Sequence, residues 1–333
     1  MDPVGWGILA PGKIARKFVE DLALVPEARV AAVGSRRLES AQAFAQQYGG
    51  TPYGSYAELV ADPAVDVVYV ASPHAFHPEH VRLAVDAGKP VLCEKPVALN
   101  AAQAEEMFAH ARERGVFVME AMWTACHPLV RAMLERLASG ECGRPLQVVA
   151  DLGFAVDALP TSRMLDPALG AGALLDMGIY PLTLAHLVMG QPVEERAVAT
   201  VAGGIDMDVA IATRYAGGGT AALTASMAAW TSRAASVATD LGRFDLPAEF
   251  HHPTEILWRP LGGRDGEAER LVPGVPVIGR GYGNEVVEVH RCLAAGLTES
   301  PVVPAAQTLA VMRQMDRIRE QIGVRYPGDR VRA

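Results

Sequence analysis

Cysteine is scarce and unpaired in this chain: Cys93, Cys126, Cys142 and Cys292 are the only four in 333 residues, and no two stand in a C-x-x-C spacing. That excludes a disulfide framework, gives no spacing for structural zinc, and suits a reducing cytoplasm. A basic face is also lacking. The 30 Lys and Arg are scattered and outnumbered by 38 Asp and Glu, for a formal net charge of -8, which argues against nucleic acid or an anionic membrane as partner. No apolar run approaches the roughly 20 residues of a membrane span. The opening residues, MDPVGWGILAPGKIARKF, carry an early acid and lack the basic stretch and apolar core of a secretion signal. There is no internal repeat and no low-complexity tract. What is present is a chain of 50% hydrophobic residues, long enough for two packed cores and expected in the cytoplasm.

The first third alternates short apolar runs with helical patterns. Gly7 to Ala10, Ala28 to Val33, Val65 to Ala71 (VDVVYVA), Val91 to Cys93 and Val116 to Glu120 read as strands. Ile14 to Leu24, Leu38 to Tyr48, Tyr56 to Ala61, Pro78 to Ala87 and Ala101 to Arg114 read as helices between them. Asn100 suits the N-cap of the last helix and Gly115 its end. Strands this apolar, separated by helices, imply a doubly wound parallel sheet covered on both faces, a Rossmann arrangement. Past residue 122 the texture changes. Leu146 to Leu152, Glu195 to Ala202, Val209 to Tyr215 and Thr220 to Met227 follow one another with glycine-rich turns, the pattern of a large, mostly antiparallel open sheet. Helices are expected over Asp176 to Leu187, Asn284 to Ala295 and Ala305 to Ile322. The expected class is therefore α/β: a Rossmann domain over 1–122 and an α+β substrate and oligomerisation domain over 123–333, the C-terminal helices being free to pack back on the first.

Ala10-Pro11-Gly12-Lys13-Ile14-Ala15 sits between the first strand and first helix, where G-x-G-x-x-G/A lets pyrophosphate approach a helix N-terminus. The match is partial, because Ala10 replaces the first glycine. The second strand ends in Gly34-Ser35-Arg36-Arg37. A carboxylate there would hold a ribose 2'-hydroxyl, whereas Ser35, Arg36 and Arg37 suit a 2'-phosphate, so NADP is preferred over NAD. A solvated turn with incidental arginines is the plainer account of the same residues.

Ser72-Pro73-His74-Ala75-Phe76-His77-Pro78-Glu79-His80 follows VDVVYVA. Its H-x-x-H-x-x-H spacing invites a metal, but Pro78 interrupts the array and no carboxylate-rich cluster accompanies it, so no metal is assigned. The loop stands instead at the carboxyl end of a strand, where an open α/β sheet binds ligands. Ser72, His74 and His77 are placed beside cofactor, or cap and pack there. Lys95, in VLCEKPVAL, ends the next strand with Glu94 before it. Lys is almost never fully buried unless paired, and one that is partly desolvated can give and take a proton near neutral pH. The plainer reading pairs it with Glu94. In Gly170-Ala171-Gly172-Ala173-Leu174-Leu175-Asp176-Met177-Gly178-Ile179-Tyr180, Asp176 and Tyr180 lie four apart and so share one helix face. Arg163 either reaches substrate oxygens or is a surface charge. Trp123 and His127 are pocket walls or packing.

In order, Ala10 to Ala15, Ser35-Arg36, Glu94-Lys95-Pro96 and Gly172-x3-Asp176-x-Gly178-x-Tyr180 resemble the Gfo/Idh/MocA family of NAD(P)-dependent oxidoreductases over essentially the whole chain. Glu-Lys-Pro is the most specific element. The resemblance implies a catalytic Lys95, often followed by a cis peptide bond to proline, with Asp176 and Tyr180 completing the site. Tyr rather than His at 180, together with Glu120-Ala121-Met122-Trp123, leans towards the dihydrodiol dehydrogenase and glucose-fructose oxidoreductase branch. It further implies hydride transfer between nicotinamide and a secondary alcohol or ketone of a sugar, cyclic polyol or dihydrodiol. Lys95 and Tyr180 would move the proton, and Asp176 would orient the hydroxyl or the lysine. Trp123, His127 and Arg163 would fall on the substrate side, and a homodimer or homotetramer is expected. A cofactor-binding regulatory protein without turnover, or a member using tightly held cofactor for coupled redox or hydrolysis, are the alternatives.

Overall fold

The structure, a computed structural model, describes residues 2–157, 162–262 and 268–329. The chain divides into two compact units, one of Met1–Cys126 with Val277–Leu309, the other of His127–Pro276 with Ala310–Ala333. The first unit is built from strands β1 (Val4–Leu9), β2 (Ala28–Gly34), β3 (Thr51–Tyr53), β4 (Val67–Val70), β5 (Val91–Glu94) and β6 (Val118–Ala121). They alternate with helices α1 (Lys13–Leu22), α2 (Leu38–Tyr48), α3 (Tyr56–Ala61), α4 (His77–Asp86) and α5 (Ala101–Arg114). All strands pair in parallel, in the order β3-β2-β1-β4-β5-β6. The order reverses between β1 and β4, so the carboxyl ends of these two strands frame the crevice in which open α/β sheets take ligands.

Local chemistry explains where the helices of this unit begin and end. The Asn100 side chain accepts the Gln103 N–H at the start of α5, and Gly115 closes that helix in the left-handed conformation with φ 66°. Ser55 caps α3 in the same way through Glu58. The four residues of β4 and of β5 are buried throughout, as strands covered on both faces must be. Phe18 of α1 stacks on Tyr69 of β4 with centroids 3.8 Å apart, and the Trp6 indole donates to His290 Nε2 at 3.0 Å. His290 belongs to helix Tyr282–Ala294, which is thereby fixed to the same unit.

After a short helix, α6 (Trp123–Cys126), the second unit opens with α7 (Pro128–Ser139) and β7 (Pro145–Gly153). A π-helical turn, Leu174–Gly178, runs into α8 (Ile179–Met189). Strands β8 (Pro192–Ala202), β9 (Ile205–Tyr215), β10 (Thr220–Ser226), β11 (Ala235–Thr239), β12 (Gly242–Leu246), β13 (Leu257–Pro260) and β14 (Glu269–Arg270) complete an eight-stranded sheet. Its order is β14-β13-β12-β11-β7-β10-β9-β8, antiparallel except where β10 runs parallel to β7. Along β9 and β10 buried and exposed residues alternate, so one face of the sheet packs and the other meets solvent. The expected fold class is the observed one.

Three sequence readings need correction. The helix expected from Asp176 starts earlier, as the π-helical turn. Strands β3 and β11 to β14 and helices α6 and α7 are not among the elements the sequence pattern predicts. One stretch, Pro167–Met189, is long and apolar enough to cross a membrane, yet most of it is buried inside this unit. Every described residue of α8 from Ile179 to Ala185 is buried, the mark of a core helix.

Candidate active site

The fingerprint loop is a tight turn. Ala10 donates its N–H to Gly34 O at 3.1 Å, and Gly12 N–H reaches back to Ala10 O at 2.9 Å around Pro11, a γ-turn that suits the fixed φ of proline. Ala10 itself has φ 70°, in the left-handed region where the usual glycine would cost nothing. Gly12 caps α1 with φ -92° and no side-chain hydrogen bond, and α1 has no acid in its first turn. A Cβ added at Gly12 would meet nothing within 4 Å. Neither backbone strain nor the protein's own packing therefore requires a glycine at 12. An open floor before an uncapped helix N-terminus is what a pyrophosphate needs, so these residues fit a dinucleotide. Lys13 and Ile14 form the first positions of the helix behind it.

At the end of β2, Ser35 Oγ accepts the Arg37 N–H at 3.3 Å, while Arg36 and Arg37 are exposed. Arg36 lies against Tyr56, which in turn meets the ring of His80 edge-on at 4.7 Å. His80 Nδ1 is 2.8 Å from Ser72 Oγ. His74 is buried nearby. His77 is fully buried, with Nε2 2.7 Å from Ser72 O and Nδ1 3.0 Å from Pro96 O. Two carbonyl acceptors favour a charged ring and burial disfavours it. Burial is the larger effect and holds the pKa at about 4, so the ring is neutral at pH 7 and donates to one carbonyl only. The neutral His77 ring thus lies between a carbonyl of the loop after β4 and one of the loop after β5 and donates to one of them. Among the described residues His74, His77 and His80 do not gather as metal ligands.

That second loop carries Lys95, partly exposed at the end of β5, with a cis bond to Pro96. Three acids surround its strand. Glu94 accepts the Tyr69 hydroxyl on Oε1 and the Lys95 N–H on Oε2 at 3.2 Å. Glu120, buried at the end of β6, accepts the Val97 N–H at 3.1 Å and the Thr308 hydroxyl at 2.9 Å. Desolvation lifts its pKa to about 7 against those bonds and the nearby Lys95 ammonium. Glu285 is wholly buried with neither oxygen hydrogen-bonded. Burial, then the charges of Glu94 and Asp21, raises its pKa well above the usual carboxylate value. Sequence reasoning named Glu94 and missed Glu120 as a group facing Lys95 and Glu285 altogether. The quoted Glu-Ala-Met-Trp run was the only signal for Glu120. Trp123 stacks flat on Tyr282, centroids 4.1 Å apart.

Lys95 belongs to the first unit, Asp176 and Tyr180 to the second. There the chain enters the π-helical turn through Gly172, whose φ is 143°. A Cβ at Gly172 would lie 2.4 Å from Asp206 Oδ1 and 2.7 Å from Tyr326 Oη. Asp206, fully buried, accepts the Leu174 N–H at 2.6 Å, and Tyr326 donates to Ala171 O at 2.6 Å. Burial raises the Asp206 pKa to about 6. This remote carboxyl holds the first turn of the segment that presents Asp176, partly exposed, and Tyr180, buried with its ring 4.8 Å from that of His251. π-helical turns are rare and recur at functional sites. His127 is buried, and burial lowers its pKa to about 4. Arg163 is exposed in a short 3-10 turn.

A parallel sheet with a dinucleotide loop at its reversal point, joined to an antiparallel sheet unit, defines a nicotinamide-type oxidoreductase architecture. Residues 4–122 match the model of the oxidoreductase family with an NAD-binding Rossmann fold, and residues 130–245 match the GFO/IDH/MocA C-terminal domain. The chain belongs to the Gfo/Idh/MocA oxidoreductase family. It is 36% identical over 339 residues to trans-1,2-dihydrobenzene-1,2-diol dehydrogenase of Mus musculus, covering 98% of each chain. It is similar in structure to aldose-aldose oxidoreductase from Caulobacter crescentus, with a TM-score of 0.87, 25% identity, and coverage of 96% of this chain and 97% of that one. A 3-ketoreductase from Actinomadura kijaniata, solved with NADP and TDP-benzene, has a TM-score of 0.83 at 28% identity, with 96% and 98% covered. These relatives are dehydrogenases and reductases that act on hydroxyl groups, and this chain is an enzyme of that kind.

Proposed function

We propose that the protein is an NADP(H)-dependent oxidoreductase interconverting a secondary alcohol and a ketone on a sugar, cyclic polyol or trans-dihydrodiol, with Lys95 and Tyr180 handling the proton. The observation that carries the reading is Lys95 at the carboxyl end of β5, its backbone N–H accepted by Glu94 and the following Pro96 carbonyl 3.0 Å from His77 Nδ1. A lysine so placed donates a proton as the ammonium and accepts one as the neutral amine. The nicotinamide, when bound, accepts or returns the hydride. In oxidation the single hydroxyl proton passes to Tyr180 as phenolate or to Lys95 as neutral amine while the carbon gives up its hydrogen as hydride; in reduction the same pair returns one proton to the carbonyl oxygen. Asp176 orients the hydroxyl or the lysine. NADP is favoured over NAD because Ser35, Arg36 and Arg37 stand where a carboxylate would select the 2'-hydroxyl. None of the four cysteines forms a disulfide and all are buried, which suits the cytoplasm. Exposed Val193, Val198 and Val201 on the edge strand β8 favour a second copy of the chain as partner.

The test is parallel fluorescence titration with NADPH and NADH, followed by turnover on polyol, keto-sugar and dihydrodiol substrates. Lys95→Met and Tyr180→Phe are each expected to bind cofactor as wild type does and to lose at least about 100-fold in kcat. Near-wild-type turnover in Lys95→Met overturns the mechanism; exclusive binding of NADH overturns only the cofactor choice.

A further inference from the structure

Beside Tyr180, in the second unit, a short segment after β12 gathers Glu249, His251 and His252. One ligand atom from each lies within 4.8 Å of the others. The segment is not casually placed. Phe250 between them is fully buried and donates its N–H to Arg233 O at 3.1 Å, and the His252 N–H closes a turn onto Glu249 O at 2.8 Å. Glu249 takes a left-handed φ of 69°. For a residue other than glycine such a conformation costs on the order of 1–3 kcal/mol and is kept where surrounding structure or function demands it.

The two oxygens of that carboxylate have different surroundings. Oε1 accepts from the Arg233 guanidinium, which is itself fixed 4.1 Å over the Trp230 ring. Oε2 faces His252 Nε2 at 3.5 Å and His251 Nε2 at 3.8 Å. Both separations are too long for good hydrogen bonds. Around a tetrahedral zinc with bonds of about 2.0–2.1 Å, neighbouring ligand atoms stand about 3.3 Å apart. The two carboxylate–imidazole separations are a few tenths of an ångström wider, and all three ligand atoms lie within 4.8 Å of one another, so side-chain rotation is needed to close the set.

We propose that Glu249 Oε2, His251 and His252 form a binding site for a zinc-class divalent cation, with Arg233 as the outer partner that orients the carboxylate. Two imidazoles and one carboxylate are the ligand types of borderline cations such as zinc, while calcium and magnesium ask for oxygen ligands. A ligating carboxylate whose second oxygen is hydrogen-bonded is the usual outer arrangement of such sites. Three protein ligands leave a fourth position open to water or to an added hydroxyl. The His251 ring lies against that of Tyr180, centroids 4.8 Å apart. The site stands on these contacts alone and does not depend on the reaction proposed above.

The experiment uses tag-free full-length protein, stripped with chelator and titrated with Co2+ and then Zn2+, in the absence of cofactor and substrate. The expected result is one Co2+ per chain with the intense visible absorption of a tetrahedral site, displaced by Zn2+. Glu249→Gln and His252→Ala should each weaken the metal by more than about 10-fold, and Arg233→Lys by about 10-fold, with unchanged circular dichroism. No cobalt spectrum, an octahedral one, or equal binding by wild type and His252→Ala overturns the proposal. Because the readout is spectroscopic, loss of turnover in Lys95→Met bears only on the reaction, and loss of cobalt absorption in His252→Ala only on the metal.

Discussion

Two glycines each stand before a helix that carries proposed site residues, and they are glycines for opposite reasons. At Gly12 an added Cβ meets nothing within 4 Å and φ is -92°, so the chain would accept many residues there. At Gly172 φ is 143° and an added Cβ would lie 2.4 Å from Asp206 Oδ1, so the chain accepts no other. The first position is small for the sake of something that is not protein; the second is small for the sake of a buried carboxyl that holds the helix start. A glycine motif in a sequence does not say which of these it is, and the space around the missing side chain does.

The comparison breaks most visibly at Gly172. Gly172→Ala combines a forbidden backbone with a contact far inside van der Waals distance, and is expected to cost more than about 3 kcal/mol. Urea unfolding followed by fluorescence would read it. A loss under about 1 kcal/mol would mean that Asp206 and Tyr326 yield freely and that the entry is not packed as described.

Asp206 sharpens the same side through pH. Its pKa is about 6 in the fold against 3.8 for the free group, so between those values the folded state binds more protons than the unfolded one. Its contribution is present in acid and is lost as pH rises through about 6, by up to about 3 kcal/mol at about 1.4 kcal/mol per unit. Asp206→Asn keeps an acceptor for the Leu174 N–H and should remove this slope. His77 in the first unit works the other way: its ring is held at about 4, below the ordinary value, so its contribution is lost as pH falls. Stability curves of wild type and Asp206→Asn that stay parallel from pH 4 to 7 would show that Asp206 is not protonated in the fold.

On the other side, Gly12→Asp separates folding from binding. Aspartate is a better N-cap than glycine and its charge suits a helix N-terminus, so stability should hold or rise by a few tenths of a kcal/mol. The same carboxylate repels pyrophosphate, and NADPH affinity should fall at least about 100-fold, about 2.7 kcal/mol. Loss of folding together with binding would make Gly12 a structural glycine after all.

How far the sequence carried the reader follows the same division between local and remote causes. VDVVYVA reads as a buried strand because every residue in it except Asp66 is apolar, and Ala305–Ile322 was placed to the residue because helical periodicity is local. Strands β11 to β14 were missed because they are short and find partners far along the chain, β11 pairing with β7 from about 90 positions away. Glu120 and Glu285 were missed because nothing in a sequence says that an acid is buried, and the default puts it outside. Asp176 and Tyr180 were legible as a pair, yet the carboxyl that holds their helix, Asp206, comes some 30 residues later and gave no local sign.

The smallest effect is expected at Ala10, where the two kinds of glycine meet in one position. Its φ of 70° is what the family's glycine supplies at no cost, and alanine in the left-handed region costs roughly 1–2 kcal/mol. Pro11 adds to the strain, since a residue before proline is pushed towards extended backbone. Against this, glycine gives the unfolded chain more freedom, worth about 0.4–1 kcal/mol. Ala10→Gly should therefore stabilise by only about 0.5–1 kcal/mol, with NADPH bound as tightly or more so because the methyl no longer stands in the turn. If the variant is instead less stable than wild type, the γ-turn around Pro11 is held by more than its two hydrogen bonds. Alanine would then be the residue this loop needs, and its departure from the family pattern would be an adaptation of the turn itself.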